Sequence, residues 1–415
     1  MSELRKNIFG LFGFSLLDRI VSGFLQLIIF TIVIRHLAPE DVGLLGIFGG
    51  IAVFFNLANI SPSSIMIRDY PKIGNELDLH LGNYIIFSYV KMFFFLVAGF
   101  FFAIFLLPKY GNPAFTFLLY ILFFSFQNFI TVPEEALYVS FKNNIVFFSN
   151  LVFNLFQLGF FIVLFKFTGA LLHYILAVFL LNAFFFFIML FVIERTLNIR
   201  IRYRMDIKDF WKHNILHFTV WNHLNGAITY LIYRIDTFVL SFFSDLRTIA
   251  SYTVALTVSN YFFIIPMIGE KALKVGYSRL LEEPDKEAGV FRYGTAVLNA
   301  ISIFQYAVFL IFGKWFICFL FPEVQNKESI FLFSSIIIAG VTILNLSRPL
   351  TAYIFNKSSL RSMFLSIYLP GGLFSLAVYF TAGHLFGPIG VAWGNVVNYG
   401  FLAVLVLMFF LRSRR

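Results

Sequence analysis

Apolar runs of about 20 residues, each long enough to carry a helix across the hydrocarbon of a bilayer, recur about twelve times along this chain with only short polar connections between them. No water inside a bilayer can satisfy backbone N–H and C=O groups, so such runs must cross as helices or as a closed barrel. The unbroken apolar stretches, with no polar–apolar alternation, select helices. The runs begin at Ile8, Val42, Leu81, Ala114, Ile145, Ala170, Ile215, Ile249, Tyr293, Ser329, Leu360 and Ile389. They end near Ile34, Ile65, Leu107, Val139, Phe165, Ile193, Phe243, Ile268, Phe321, Phe355, Leu385 and Leu411. Composition agrees, because 60% of the residues are hydrophobic and 13% charged, where a soluble domain carries about 25% charged residues. The first run follows Arg5 and Lys6 but is too long for the apolar core of a secretory signal and lacks a small-residue cleavage site, so it reads as a transmembrane helix. The lone cysteine, Cys318, excludes an internal disulfide, a CxxC metal site and a redox pair.

Basic residues orient the helices. With the N-terminus in the cytoplasm, Arg35, Lys109, Lys166, Arg247, Lys314 and Lys327 fall outside, Arg19, Lys91 and Arg234 fall within the membrane, and every other Lys and Arg lies inside. An even number of helices with both termini cytoplasmic fits that asymmetry. The net charge of +10 is then a topology signal and an attraction to anionic headgroups, giving no support for nucleic-acid binding.

The chain also repeats once. The loops Leu37–Gly43 and Ser244–Ala250 each precede a helix carrying a proline, Pro62 or Pro266, and Pro133 with Pro349, Gly169 with Gly387 and Asn182 with Asn398 match at similar offsets. Six helices between equivalent elements give the halves one orientation. The expected fold is therefore an all-α integral membrane protein of about twelve helices in two six-helix lobes related by an axis along the membrane normal. The lobes span 1–193 and 214–415, joined by a basic cytoplasmic linker, 194–213.

Charges buried in a membrane segment are costly and usually face a bundle interior or a wet cavity. The first helix carries Asp18 and Arg19, with Ser15, Arg19, Ser22 and Gln26 on one stripe and Asp18 about 100° away. The seventh carries two adjoining stripes, Asn222, Asn225, Thr229, Tyr233 and Asp236 beside Tyr230, Arg234, Thr237 and Ser241. Narrower stripes hold Asn128, Thr131 and Glu135; Asn150, Asn154 and Gln157; Thr295, Asn299, Ser302 and Tyr306; and Thr342, Asn345 and Arg348. Interhelical hydrogen bonding explains uncharged stripes as well as a cavity does. Candidate substrate-binding residues are Arg19, Arg234, Arg68, Lys91, Lys271, Arg348, Gln26 and Asn225. Asp18, Asp236 and Glu135 are candidates for coupling or for pairing with the arginines across helices. For Arg68, Lys271, Lys274 and Arg348, snorkelling to the boundary is the simpler alternative. Walker, HExxH, CxxC and GxSxG patterns are absent, so neither a cofactor, a metal nor a catalytic centre is expected.

Two like-oriented lobes, short loops and a charged first helix resemble the multidrug/oligosaccharidyl-lipid/polysaccharide (MOP) exporter superfamily, and within it the polysaccharide-unit, O-antigen type flippases. Ile34-Arg-His-Leu-Ala-Pro-Glu-Asp-Val-Gly-Leu-Leu-Gly46 resembles the family's entry to helix 2, and Ile67-Arg68-Asp69 its arginine after that helix. Arg234–Leu240 resembles helix 7 with its aspartate, Thr248–Tyr252 a Val-Gly-x-Tyr entry with Ala250 in place of glycine, and Gly387–Ala392 the entry to the last helix. The resemblance implies a non-enzymatic flippase in a bacterial cell inner membrane, acting in lipopolysaccharide and other polysaccharide biosynthesis. It would move an undecaprenyl-diphosphate-linked oligosaccharide from the cytoplasmic to the periplasmic leaflet by alternating access. Implied partners are that lipid-linked oligosaccharide, membrane lipids, H+ or Na+, and polysaccharide polymerase machinery. Arginine suits a diphosphate through its bidentate donors. The rivals are a cation-coupled multidrug exporter of the same superfamily, whose cavity should favour acids, and a membrane polysaccharide polymerase, which generally needs a larger outside loop than this chain provides.

Overall fold

A computed structural model describes residues 2–57, 76–111, 113–204, 218–279, 284–322 and 326–413. Among them the chain is helical throughout, with no strand. In order come α1 (Ser2–His36), α2 (Pro39–Leu57), α3 (Leu77–Leu106), α4 (Ala114–Val139), α5 (Asn143–Leu164), α6 (Leu171–Leu197), α7 (Phe218–Phe243), α8 (Leu246–Asn260), α9 (Ile264–Arg279), α10 (Pro284–Leu320), α11 (Lys327–Lys357), α12 (Leu360–Met363) and α13 (Leu369–Ser413). Arg68, Pro62, Asp69, Trp211 and the linker beyond Arg204 lie outside the described residues.

Ten described stretches are long and apolar enough to span a membrane. One of them, Leu360–Arg412, runs for 53 residues, about 80 Å if straight, against a hydrocarbon core of about 30 Å. It must cross twice. The break falls at Gly387, whose φ of 60° and ψ of −141° suit a residue without a Cβ, with Pro388 next. The apolar helix α2 brings the crossings to the expected number. Elsewhere the turns are made by short chemistry: Asp245 caps α8 by accepting from Thr248 N (2.9 Å), Ser359 caps α12 by accepting from Ser362 N (3.2 Å), and Asn198 closes α6 in the left-handed region.

The chain forms two compact units. The first holds Met1–Ala38 and Ala58–His223, the second Pro39–Leu57 and Leu224–Arg415. In the first, Leu81, Phe129, Ala136, Leu137, Val146, Phe186, Met189 and Ile193 form a core at which α3, α4, α5 and α6 meet. In the second, α2 lies against α7 and α8 so closely that a Cβ on Gly43 would enter the Leu246 carbonyl and one on Gly50 would sit 2.8 Å from Phe238 N. Burial is inverted relative to a soluble protein: Phe93, Phe94, Phe101 and Phe105 of α3 stand exposed, while Asp236, Asn395 and Asn398 are fully buried. Lipid, not water, is the solvent such a surface suits.

Candidate functional site: polar clusters inside the two units

In the first unit, Asp18 of α1 accepts from Asn150 Nδ2 of α5 (3.3 Å to Oδ1) and from Ser22 Oγ (3.3 Å). One turn on, Asn154 Nδ2 donates to Ser22 Oγ at 3.1 Å. Both rungs join residues 132 apart in sequence, so α1 and α5 run parallel, and the i,i+4 spacing on each helix aligns both rungs. Tyr138 of α4 also reaches Asp18, and Glu134 shares Asn150 with it.

In the second unit Asp236 is wholly buried. It accepts from Tyr252 Oη (2.8 Å), Thr237 N (2.8 Å) and Asn395 Nδ2 (3.3 Å). Tyr379 Oη donates to Asn395 Oδ1 (2.9 Å) and Ser375 Oγ to Asn398 Oδ1 (2.6 Å), tying the two arms of α13 together across Gly387. A second cluster joins α9 to α11. Arg348 Nη1 donates to Glu270 Oε2 at 2.5 Å, Arg348 Nε to Asn345 Oδ1 at 2.6 Å, and Lys274 Nζ to Glu270 Oε1 at 2.7 Å.

The expected site residues divide accordingly. Asp18 and Asp236 are each held by neutral donors, and among the described residues neither Arg19 nor Arg234 makes an ion pair with them. Arg19 and Gln26 are exposed and Arg234 is half-buried. Ser22, expected on the arginine stripe, turns instead to Asp18, because an i,i+4 carboxylate is within reach of a hydroxyl that bends around the helix. Glu134, next to the expected Glu135, shares Asn150 with Asp18. Arg348 does not snorkel; it is 7% exposed and ion-paired. Lys271 is exposed while Lys274, one turn on, meets Glu270. Lys91 lies over the Phe87 ring, 5.4 Å from its centroid. Asn225 donates to the Leu360 carbonyl at 3.1 Å, which pins the start of α12. Tyr252, Glu270 and Asn395 are not among the expected site residues, and Glu134 adjoins one that is, Glu135. The i,i+4 pair Glu270 and Lys274 was the signal available for one of them.

Carboxylates buried against neutral donors can exchange a proton or hold a small cation, and the cationic side chains left without carboxylates suit an anion. No protein-family model matches the chain, and no curated protein matches it by sequence. Solved structures do. Lipid II flippase MurJ in an inward closed conformation superposes with a TM-score of 0.74 at 14% identity, covering 96% of this chain and 89% of that one. The two chains share a fold, and structures of the MOP superfamily share it too. An inward-facing multidrug resistance MATE transporter of that superfamily gives a TM-score of 0.66 at 14% identity over 95% and 94% of the two chains. A eukaryotic MATE transporter gives 0.65 at 13% identity over 98% and 96%. At such identities the likeness concerns the fold: a multi-pass, all-helical membrane protein.

Proposed function

We propose that this chain is a flippase for a lipid-linked oligosaccharide, carrying an undecaprenyl-diphosphate-linked repeat unit from the cytoplasmic to the periplasmic leaflet of a bacterial inner membrane. The carrying observation is that Arg19 and Arg234, in the first helix of each sequence half, have no carboxylate partner among the described residues, while the neighbouring Asp18 and Asp236 are satisfied by neutral groups. Arginines so placed offer planar donors to a diphosphate. The prenyl tail can stay in lipid while the headgroup follows a polar path. In this reading access to the site alternates between the two leaflets with both termini cytoplasmic, and Asp18 or Asp236 exchanges the coupling H+ or Na+. Likeness to MurJ, described as a lipid II flippase, is in keeping with it.

A second reading, a cation-coupled multidrug exporter, draws on the same aspartates and on the MATE structures. Depletion in the native host separates the two. Lipid-linked units accumulating on the cytoplasmic leaflet support the flippase. Unchanged leaflet distribution with raised drug sensitivity supports the exporter, and unpolymerised units already on the outer leaflet support a polymerase.

A further inference from the structure

Between α8 and α9 the helix tightens into a 3-10 turn at Tyr261–Phe263. Asn345 Nδ2 of α11 donates to the Phe262 carbonyl there at 3.1 Å, and its Oδ1 receives Arg348 Nε. Arg348 in turn grips Glu270, and its guanidinium lies 5.3 Å from the Phe263 ring centroid. Glu270 has two cationic neighbours, Arg348 and Lys274, so the group carries one positive charge in excess.

Arginine presents five donors in a planar fork. Here Nε and Nη1 are used, whereas Nη2 is buried with no hydrogen-bond partner among the described residues. A buried donor on a cation left unmade is costly and calls for an explanation. Beside it, Phe364–Tyr368 forms a π-helical turn, a bulge found often at functional sites; Tyr368 lies within electrostatic reach of Arg348, and Tyr233 comes near enough for a loose hydrogen bond to the guanidinium without satisfying Nη2 in good geometry.

We propose that Arg348 and Lys274 form a subsite for the diphosphate of the lipid-linked substrate, with Glu270 as its built-in competitor. The inference rests on the flippase reading. Buried Arg348 and half-buried Lys274 would repel each other without an anion between them, and Arg348 would lose its hydration uncompensated, so Glu270 holds them when the subsite is empty. A diphosphate brings more negative charge and more acceptor oxygens than one carboxylate, and Nη2 is a donor it can engage before Glu270 lets go. Glu270 thus makes occupancy selective, since a weakly charged headgroup cannot displace it.

The test uses the full chain in nanodiscs of zwitterionic lipid, with inorganic pyrophosphate as the probe, titrated calorimetrically at constant ionic strength. Glu270→Gln should bind pyrophosphate about tenfold more tightly than the wild type, the scale of one charge-assisted hydrogen bond. Arg348→Gln should abolish binding, and Arg348→Lys, which keeps charge but loses the fork, should lose most of it. If Glu270→Gln does not accumulate, Glu270→Asp, which withdraws the carboxylate by one methylene, should show the same direction at smaller size. Equal affinity in the wild type and the folded Glu270 variant, or undiminished binding by Arg348→Gln, overturns the proposal. Nanodiscs containing phosphatidylglycerol identify the source of the phosphate. Unchanged pyrophosphate affinity there supports the diphosphate, whereas loss of binding marks a phospholipid headgroup site and overturns it. Cytoplasmic-leaflet accumulation on depletion together with a negative titration would leave the flippase reading standing and remove this subsite alone.

Discussion

Asp236 concentrates the energetics of the second unit at one side chain. It is fully buried, and Tyr252, Thr237 and Asn395 all point donors at it. Asp236→Asn keeps the shape and one acceptor oxygen, enough for Tyr252 and Asn395 but not for Thr237 N as well, so membrane abundance should stay closer to that of the wild type than in a leucine variant, while export, on the flippase reading, falls sharply. Asp236→Leu should instead lower abundance, because each buried donor left unmade costs about 1–3 kcal/mol. Abundance and export measured on the same cells check both, and normal export by a well-expressed Asp236→Asn would remove this aspartate from coupling. Arg19 and Arg234 call for a different experiment. Without an ion pair to break, Arg19→Ala and Arg234→Ala should leave abundance intact and strongly reduce export, with lysine rescuing only part. Wild-type export by the double alanine variant would return the drug exporter to contention. Asp18, Arg19, Arg234 and Asp236 stand out in the sequence because a charge within an apolar run has few explanations. Their neighbours do not. Whether Glu134 or Glu135 reaches Asn150 depends on helix rotation, and Asn395 meets Asp236 only because α13 folds back at Gly387, a long-range closure no local spacing encodes.

At the scale of elements, α2 is the most tightly specified by small residues. Besides Gly43 and Gly50, a Cβ on Gly46 would enter the Thr253 hydroxyl. Leucine at Gly50 has no room against Phe238 backbone, so Gly50→Leu should displace α2 and cost about 2–4 kcal/mol, read as a lower thermal midpoint in detergent. Gly226, with open space around its Cβ position, is the matched control, and equal loss at both sites would refute close packing as the cause. At the start of the same seam, Arg247 Nε donates to Glu40 at 2.6 Å, and that hydrogen bond holds the Glu40 carboxyl below its usual value of 4.5. A depressed carboxylate stabilises above its unfolded value and loses that contribution as pH falls through the folded one. Any thermal difference between wild type and Glu40→Gln should therefore be present at pH 7 and vanish at acid pH, remaining small throughout because both side chains are solvated. The seam itself could not be read from the chain. The sequence places α2 after the first helix, and only the close approaches of its glycines put it against α7 and α8.

For the whole molecule, most helical spans were legible to within a few residues, with α10 beginning at Pro284 rather than Tyr293 and the ends expected at Ile65 and Ile215 lying outside the described residues, because lipid imposes one rule, internal backbone satisfaction over about 20 residues, and leaves little for tertiary context to override. The Gly387 break between the last two spans was visible as Gly-Pro after an apolar run long enough for two crossings. Sidedness is the part carried by charge alone, so it deserves the most direct test. After Cys318→Ser, single cysteines at Lys109, in the 3-10 turn Pro108–Tyr110, and at Lys327, the first residue of α11, should react with an impermeant maleimide from outside intact cells. A cysteine at Arg204 should react only after permeabilisation. Arg204 is preferable to Arg202 as the inner reporter, because Arg202 is locked to Asp78, Nη2 to Oδ1 at 3.0 Å, and replacing it would disturb the contact being used. Each crossing reverses the side of every later loop, so the three positions are not independent: α4, α5 and α6 lie between Lys109 and Arg204, and with α3 preceding Lys109 an odd count separates outer from inner reporter. Labelling of position 204 from outside, with 109 also labelled, would mean that one of those three helices does not cross, and the twelve-span topology would fall with it.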